Sequence, residues 1–285
     1  MEEGRRGEGS LAVGDTLGPY RLEALLGEGA VGVVFRAVRI PEGTPVALKV
    51  MKSALSADET YRRRFAHEAR AAAAIEHHHL VPVLDAGEAD GFSYLATRYV
   101  PGRTLEKRLE ADGPLVLEEL VRLLSEVGAG LDALHREGLI HRDVKPSNVL
   151  LDEEGGAALT DFGLAKGQAY TVLTRPGQVI GTLDYLAPEV FMGNEAAPAA
   201  DIYALGCVAF ECLAGEPPFA GRGIMQIASA HLGEEPPDPC AGRPGVPSHL
   251  SWALLQALAK EPEQRPPTAT AYAHMVRLAA RSTGG

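Results

Sequence analysis

The block His-Arg-Asp-Val-Lys-Pro-Ser-Asn at residues 141–148 constrains this chain more than any other feature, because Asp161-Phe162-Gly163 and Ala187-Pro188-Glu189 follow it in order. Asp143 is a candidate base for a hydroxyl nucleophile. Asn148 and Asp161 are hard oxygen ligands suited to Mg²⁺. Lys145, two residues past the base, can neutralise a phosphoryl group in flight. Phosphoryl transfer needs such parts, because its catalysis is mostly positioning and charge stabilisation. A single three-residue match would carry little weight, but an ordered set spread over most of a chain carries much.

At 285 residues the chain fits one two-lobed catalytic unit or two small domains. Its apolar runs are broken well short of the ~20 residues a membrane span needs. The first nine residues, rich in Glu, Gly and Arg, have no apolar core of the kind a secretory signal carries. Cys207, Cys212 and Cys240 show no disulfide or metal spacing, which points to a reducing compartment and a cytoplasmic location. A net charge of −11 favours solubility and argues against nucleic acid as a partner.

Residues 20–26, 33–40, 46–51, 81–84 and 93–99 read as strands, with turns at Pro41-Glu42-Gly43 and Asp90-Gly91. Residues 56–75 read as a helix, with Ser56 and Glu59 spaced as a capping box. Beyond Pro101-Gly102 the pattern turns helical: 104–110, 117–137, 199–214, 223–231, 248–259 and 268–280. The expected organisation is a disordered tail at 1–14, a small β-rich lobe at 15–100, a helical lobe at 101–281 and a flexible end at 282–285.

Gly27, Gly29, Gly32 and Val34 fit G-x-G-x-x-G-x-V, in which glycines let backbone fold over phosphates. Alone, this pattern reads equally as an ordinary Gly-rich hairpin. A strand rather than a helix follows Gly32, which argues against a dinucleotide-binding turn. Lys49 ends an apolar Val-Ala-Leu-Lys run, at the right distance from that loop to meet phosphates. Glu68 falls on the apolar stripe of its helix with Tyr61, Phe65, Ala72 and Ile75. An inward carboxylate is costly unless paired, and Lys49 is the available cation. Consecutive His77, His78 and His79 cannot converge on one ion, so they read as a connection. Asp201 opens a buried helix and reads as a cap or as the group holding the His141–Arg142 turn. Arg265 reads as a surface charge or as the partner of Glu189.

Assembled, these residues resemble the eukaryotic-like serine/threonine protein kinases of bacteria, over residues 20–278. The resemblance implies an α+β, two-lobed protein-kinase fold using ATP with Mg²⁺ or Mn²⁺. It implies that Gly27, Gly29 and Gly32 cover the nucleotide phosphates and that Lys49 and Glu68 form the activating ion pair. Asp143 would be the catalytic base, Lys145 would contact the γ-phosphate, and Asn148 and Asp161 would bind the metal. Val34, Ala47 and Leu150 would line the adenine site, with backbone contacts from Arg98 and Val100 and Thr97 as gatekeeper. Lys145-Pro146 and Thr182 match the Ser/Thr-specific form, and Thr182 would lie where the substrate docks. Ala72, with Val83, Phe162 and His141, would form an internal stack that is looser than usual.

The implied reaction is transfer of the γ-phosphoryl group to protein Ser/Thr hydroxyls. Autophosphorylation is expected at Thr174, then Thr171, read by Arg142, Lys166 and Arg64, with self-association allowing it in trans. No membrane span is expected in this chain. Two alternatives stand beside this reading: a pseudokinase scaffold, which requires a missing Lys, base or metal ligand, and a small-molecule kinase, which the peptide-docking segment before Glu189 disfavours.

Overall fold

A computed structural model of the chain describes residues 11–29, 32–52, 59–162, 183–241 and 248–281. It divides into two compact units: residues to Ala74 with Pro82–Val100, and Ile75–Val81 with the chain from Pro101 on.

The first unit is a six-stranded antiparallel sheet of β1 (Thr16–Leu17), β2 (Tyr20–Glu28), β3 (Gly32–Arg39), β4 (Thr44–Met51), β5 (Val83–Ala89) and β6 (Phe92–Arg98). The strand order is β1-β2-β3-β4-β6-β5, with helix α1 (Glu59–Ala73) packed on β5. Five strands were expected, and the sixth, β1, is too short to show an alternating pattern. Alternation sets the inward face of β4: Val46, Leu48 and Val50 are buried, while Ala47 and Lys49 face the other way. Those side chains join Tyr20, Leu22, Phe35 and Tyr94 in one core. The rings of Tyr20 and Tyr94 meet edge-on at 5.4 Å. Both hydroxyls donate to Asp85 Oδ2, at 2.8 and 3.2 Å. The β5–β6 hairpin turns at Asp90 and Gly91, with φ of 50° and 81°, the left-handed pair that suits a tight Asp-Gly turn. At Gly32 a Cβ would lie 2.3 Å from the Val50 carbonyl oxygen, so β3 can pair there only through glycine.

The second unit is mainly helical. It contains α2 (Leu105–Asp112), α3 (Leu117–Arg136), α4 (Pro188–Phe191), α5 (Pro198–Ala214), α6 (Ile224–Gly233), α7 (Ser248–Leu255) and α8 (Ala269–Arg281). A small sheet of β7 (Arg103–Thr104), β8 (Val149–Leu151) and β9 (Ala157–Leu159) completes it. Apolar on every side, α5 is buried along nearly its whole length, and it ends at Gly215 with φ 94°. The expected helix at 248–259 closes as a single 3₁₀ turn, Gln256–Leu258, after Leu255. Asp132 on α3 accepts from the Ala269 and Thr270 N–H groups at 2.9 and 3.1 Å, capping α8 from a neighbouring helix. No described helix is long and apolar enough to cross a membrane.

Candidate active site

In the second unit the β8–β9 hairpin brings two of the predicted oxygen ligands together. Asn148 directly precedes β8 and Asp161 follows β9 by one residue. The register pairs Val149 with Leu159, and the Thr160 N–H donates to the Asn148 carbonyl at 3.0 Å. Asn148 is buried, and its amide nitrogen donates to both the Asp143 carbonyl (2.8 Å) and Asp143 Oδ2 (2.9 Å). With both amide hydrogens engaged, the Asn148 side chain presents its oxygen as the remaining polar group, a donor suited to a hard cation. Lys145 Nζ lies 3.2 Å from the same Asp143 Oδ2. Asp143, Lys145 and Asn148 therefore form one contiguous cluster, with the carboxylate held by a neutral donor and a cation.

The loop carrying this cluster is held from behind by Asp201. Oδ2 accepts from the His141 N–H at 2.8 Å and Oδ1 from the Arg142 N–H at 2.9 Å. His135 Nε2, from the last turn of α3, reaches Oδ2 at 2.8 Å. These bonds support Arg142 at φ 61°, a strained conformation for a non-glycine residue, and Asp161 has a similar φ of 60°. Of the two roles open to Asp201, the structure shows it as the holder of the turn. The involvement of His135 has no sequence signal, because a histidine near a helix end is commonplace.

His141 is fully buried. Its Nε2 lies 3.1 Å from the Thr160 carbonyl and its Nδ1 faces the Asp143 N–H at 3.3 Å. A carbonyl can only accept and an N–H can only donate, so the ring is neutral with its proton on Nε2. Burial pushes its pKa down, in keeping with that tautomer. The Phe162 ring stands perpendicular to it at 5.8 Å.

Further along, Arg265 grips Glu189 with both arms at 2.7 Å, in a buried bidentate pair, and it also donates to the carbonyls of Ala199, Ala259 and Lys260. The surface-charge alternative for Arg265 is thereby excluded. Tyr185 donates to Glu211 at 2.6 Å. Burial, with Glu106 and Asp184 nearby, raises the Glu211 carboxyl to about 7.

The first unit holds the other predicted residues. Lys49 on β4 stands between Val34 on β3 and Leu95 on β6. Gly27 pairs with Val34, and the Gly29 N–H donates to the Gly32 carbonyl at 2.9 Å. Glu68 is half-buried on the α1 face that buries Phe65, Ala69 and Ala72. The Thr97 hydroxyl donates to the Ala47 carbonyl at 3.4 Å. The Arg98 N–H donates to the Pro82 carbonyl at 3.0 Å, and Val100 is the last residue of this unit. Leu150, on β8, belongs to the second unit. Ser56, Lys166, Thr171, Thr174 and Thr182 lie outside the described residues. His77, His78 and His79 form a turn in which the His79 N–H donates to His77 Nδ1 at 3.2 Å. No metal-binding group of His, Cys, Asp or Glu occurs among the described residues.

A β-rich unit with one main helix, a helical unit, and a catalytic-type loop carrying Asp, Lys and Asn in this order define a protein kinase. The protein kinase domain family matches residues 20–276, and the chain belongs to that family. It is similar to serine/threonine-protein kinase PknH of Mycobacterium bovis, at 40% identity over 89% of this chain and 42% of the relative. It is similar to PknE of Mycobacterium tuberculosis, at 41% identity over 88% of this chain and 44% of the relative. The chain thus spans less than half the length of these relatives. The crystal structure of the Mycobacterium tuberculosis PknI kinase domain matches it with a TM-score of 0.76 and 32% identity, covering 95% of this chain and 100% of that one. These likenesses establish the two-lobed kinase fold and the bacterial serine/threonine branch of the family.

Proposed function

We propose that the chain is an active serine/threonine kinase domain that transfers the γ-phosphoryl group of Mg-ATP to protein Ser and Thr hydroxyls. The observation that carries this reading is the Asp143–Asn148–Lys145 cluster, with one carboxylate oxygen engaged at 2.9 and 3.2 Å. A carboxylate fixed in this way is pre-oriented to accept a hydroxyl proton. The substrate oxygen then forms its bond to phosphorus as the bond to ADP breaks. Lys145 offsets the negative charge that builds on the phosphoryl oxygens. Mg-ATP, when bound, supplies the transferable group and a divalent charge. Asn148 and Asp161 would hold the metal by their oxygens. Lys49 would hold the phosphates, with Glu68 orienting it, under Gly27, Gly29, Gly32 and Val34. Ala47, Leu150, Arg98 and Val100 would take the nucleoside.

The same reading assigns Thr182 to substrate docking, and Thr174 and Thr171 to autophosphorylation between associated copies in a cytoplasmic setting. The pseudokinase alternative needs a missing base, lysine or metal ligand, and Asp143, Lys49, Asn148 and Asp161 are all present. The test is incubation with γ-labelled ATP, Mg²⁺ and a Ser/Thr-rich protein, followed by phosphoamino-acid analysis. Label on serine or threonine is expected. Label on tyrosine alone, or none with Mg²⁺ or Mn²⁺, would reject the reading.

A further inference from the structure

His231, on α6, is a polar side chain in an aromatic nest. It is completely buried, stacked on Phe191 of α4 at 5.6 Å and met edge-on by Phe219 at 5.0 Å and by Tyr203 of α5 at 5.7 Å. Packing among three rings would be served as well by phenylalanine. The imidazole brings two nitrogens instead, of which Nδ1 lies 2.8 Å from the Tyr203 hydroxyl. Nε2 is buried and has no hydrogen-bond partner among the described residues. A buried polar atom in that state costs stability, so its presence calls for a reason.

The backbone carbonyl of Asp184 is the acceptor that bears on the ring. Asp184 sits in the single 3₁₀ turn Leu183–Tyr185, and α6 packs on this turn. A carbonyl only accepts, which assigns the imidazole proton to Nε2 and makes the Tyr203 hydroxyl the donor to Nδ1. Burial, with the Lys260 ammonium nearby, keeps the ring neutral. The turn opens a segment seated on the same helices: Leu183, Leu186, Ala187 and Val190 share one core with Tyr203 and Ile227. The segment also meets the catalytic-type loop, because Tyr185, Leu186 and Ala187 line one small cavity together with Asp143 and Val144. His231 thus backs a turn that adjoins the proposed base.

We propose that His231 is a positioning residue for the protein substrate: its Nε2–H is held for the Asp184 carbonyl, and closing that bond when a peptide docks fixes the Leu183–Tyr185 turn beside Asp143. The inference rests on the kinase reading above and adds what steadies its docking side. The hydroxyl to be phosphorylated must come within hydrogen-bond reach of Asp143, so a wandering turn misplaces it. A misplacement of about 1 Å, arising well away from the chemistry, is enough to slow a reaction severely. None of the groups touching His231 is assigned to the nucleotide or the metal, so its loss is read in the peptide rather than in ATP.

Two measurements on the intact chain test this. In protein labelled with ¹⁵N at histidine, the His231 ring should be neutral with its proton on Nε2, and that proton should move downfield when a single-threonine synthetic peptide labelled by the parent is added above its KM. A proton on Nδ1, or an Nε2–H blind to the peptide, would overturn the proposal. In steady-state assays His231→Phe should raise the KM for the same peptide by on the order of tenfold, the worth of about one hydrogen bond, with the KM for ATP unmoved. His231→Gln, which keeps an N–H donor, should recover much of the loss, and it serves with the labelled parent if His231→Phe does not fold. Val276→Ala, a core truncation on α8 remote from the turn, should lower the thermal midpoint and leave both KM values alone. An unmoved peptide KM in His231→Phe, an equal rise in Val276→Ala, or no recovery in His231→Gln would reject the role of His231 while the kinase reading stands. A parent that transfers no phosphate to any peptide would reject that reading and this inference with it.

Discussion

Arg265 and Glu189, 76 residues apart in sequence, meet through two parallel hydrogen bonds of 2.7 Å, and the Arg265 side chain is completely buried. The guanidinium also lies 4.9 Å from the centre of the Tyr203 ring. A buried ion pair need not outperform an apolar replacement of both partners, yet removing one partner strands a charge. Arg265→Met is therefore expected to destabilise the domain by roughly 3–5 kcal/mol. Denaturant unfolding of the variant checks this, and a loss within about 0.5 kcal/mol, the range of ordinary surface changes, would refute it.

Asp201→Asn keeps the shape of the side chain but replaces one acceptor oxygen with a donor. One of the His141 or Arg142 N–H groups, or His135, then loses its partner, at a cost of roughly 1–3 kcal/mol. Because these bonds hold the loop bearing Asp143, kcat is expected to fall more than the KM for ATP rises. A variant with normal kcat would separate Asp201 from the loop's positioning.

His231 is buried, with Nδ1 2.8 Å from the Tyr203 hydroxyl. Burial, with Lys260 nearby, lowers its pKa to about 3. In the unfolded chain it takes up a proton near the ordinary value of about 6.5. Between those values the unfolded state binds the extra proton, so stability is full above about 6.5 and falls as pH drops toward 3. Buried His141 shifts in the same direction. The slope from one such group approaches ~1.4 kcal/mol per pH unit. His231→Phe should therefore flatten the fall in thermal midpoint between pH 6.5 and 4 relative to the parent, and parallel curves would contradict this.

Glu211 shifts the other way, with its carboxyl raised to about 7 by burial. Its folded pKa lies above the unfolded value, so the stability it contributes is present at low pH and lost as pH rises toward 7. With Glu211 proposed to face the peptide, a preference for substrates with a basic residue should appear only as pH rises through about 7. The ratio of kcat/KM for Arg- and Ala-containing peptides at pH 6 and 8 measures this. Glu211→Gln should abolish the pH effect, and a ratio that does not change with pH in the parent would reject it.

Much of this was legible in the sequence because the relevant signals are local. The apolar run at 46–51 marked a strand, Asp90-Gly91 announced its hairpin, and the 141–148 block named the catalytic-type loop. The strands β7, β8 and β9 went unread, since runs of two or three residues carry no period. So did the contact of His135 with Asp201, and the bond between Tyr185 and Glu211. Such contacts depend on which helices pack together, and single-sequence spacing does not encode that. The helix at 248–259 was extended too far because its composition stays apolar where the backbone tightens into a 3₁₀ turn.

Asp143→Asn tests the central claim most directly, because the amide occupies the same space and cannot accept the hydroxyl proton. Parent and variant are compared at equal concentration with labelled ATP and Mg²⁺, with thermal midpoints recorded alongside. The account predicts robust labelling of Ser/Thr substrate by the parent and a loss on the order of 10²-fold or more in the variant, consistent with removal of a general base. Equal rates for both proteins, with both folded, would contradict it.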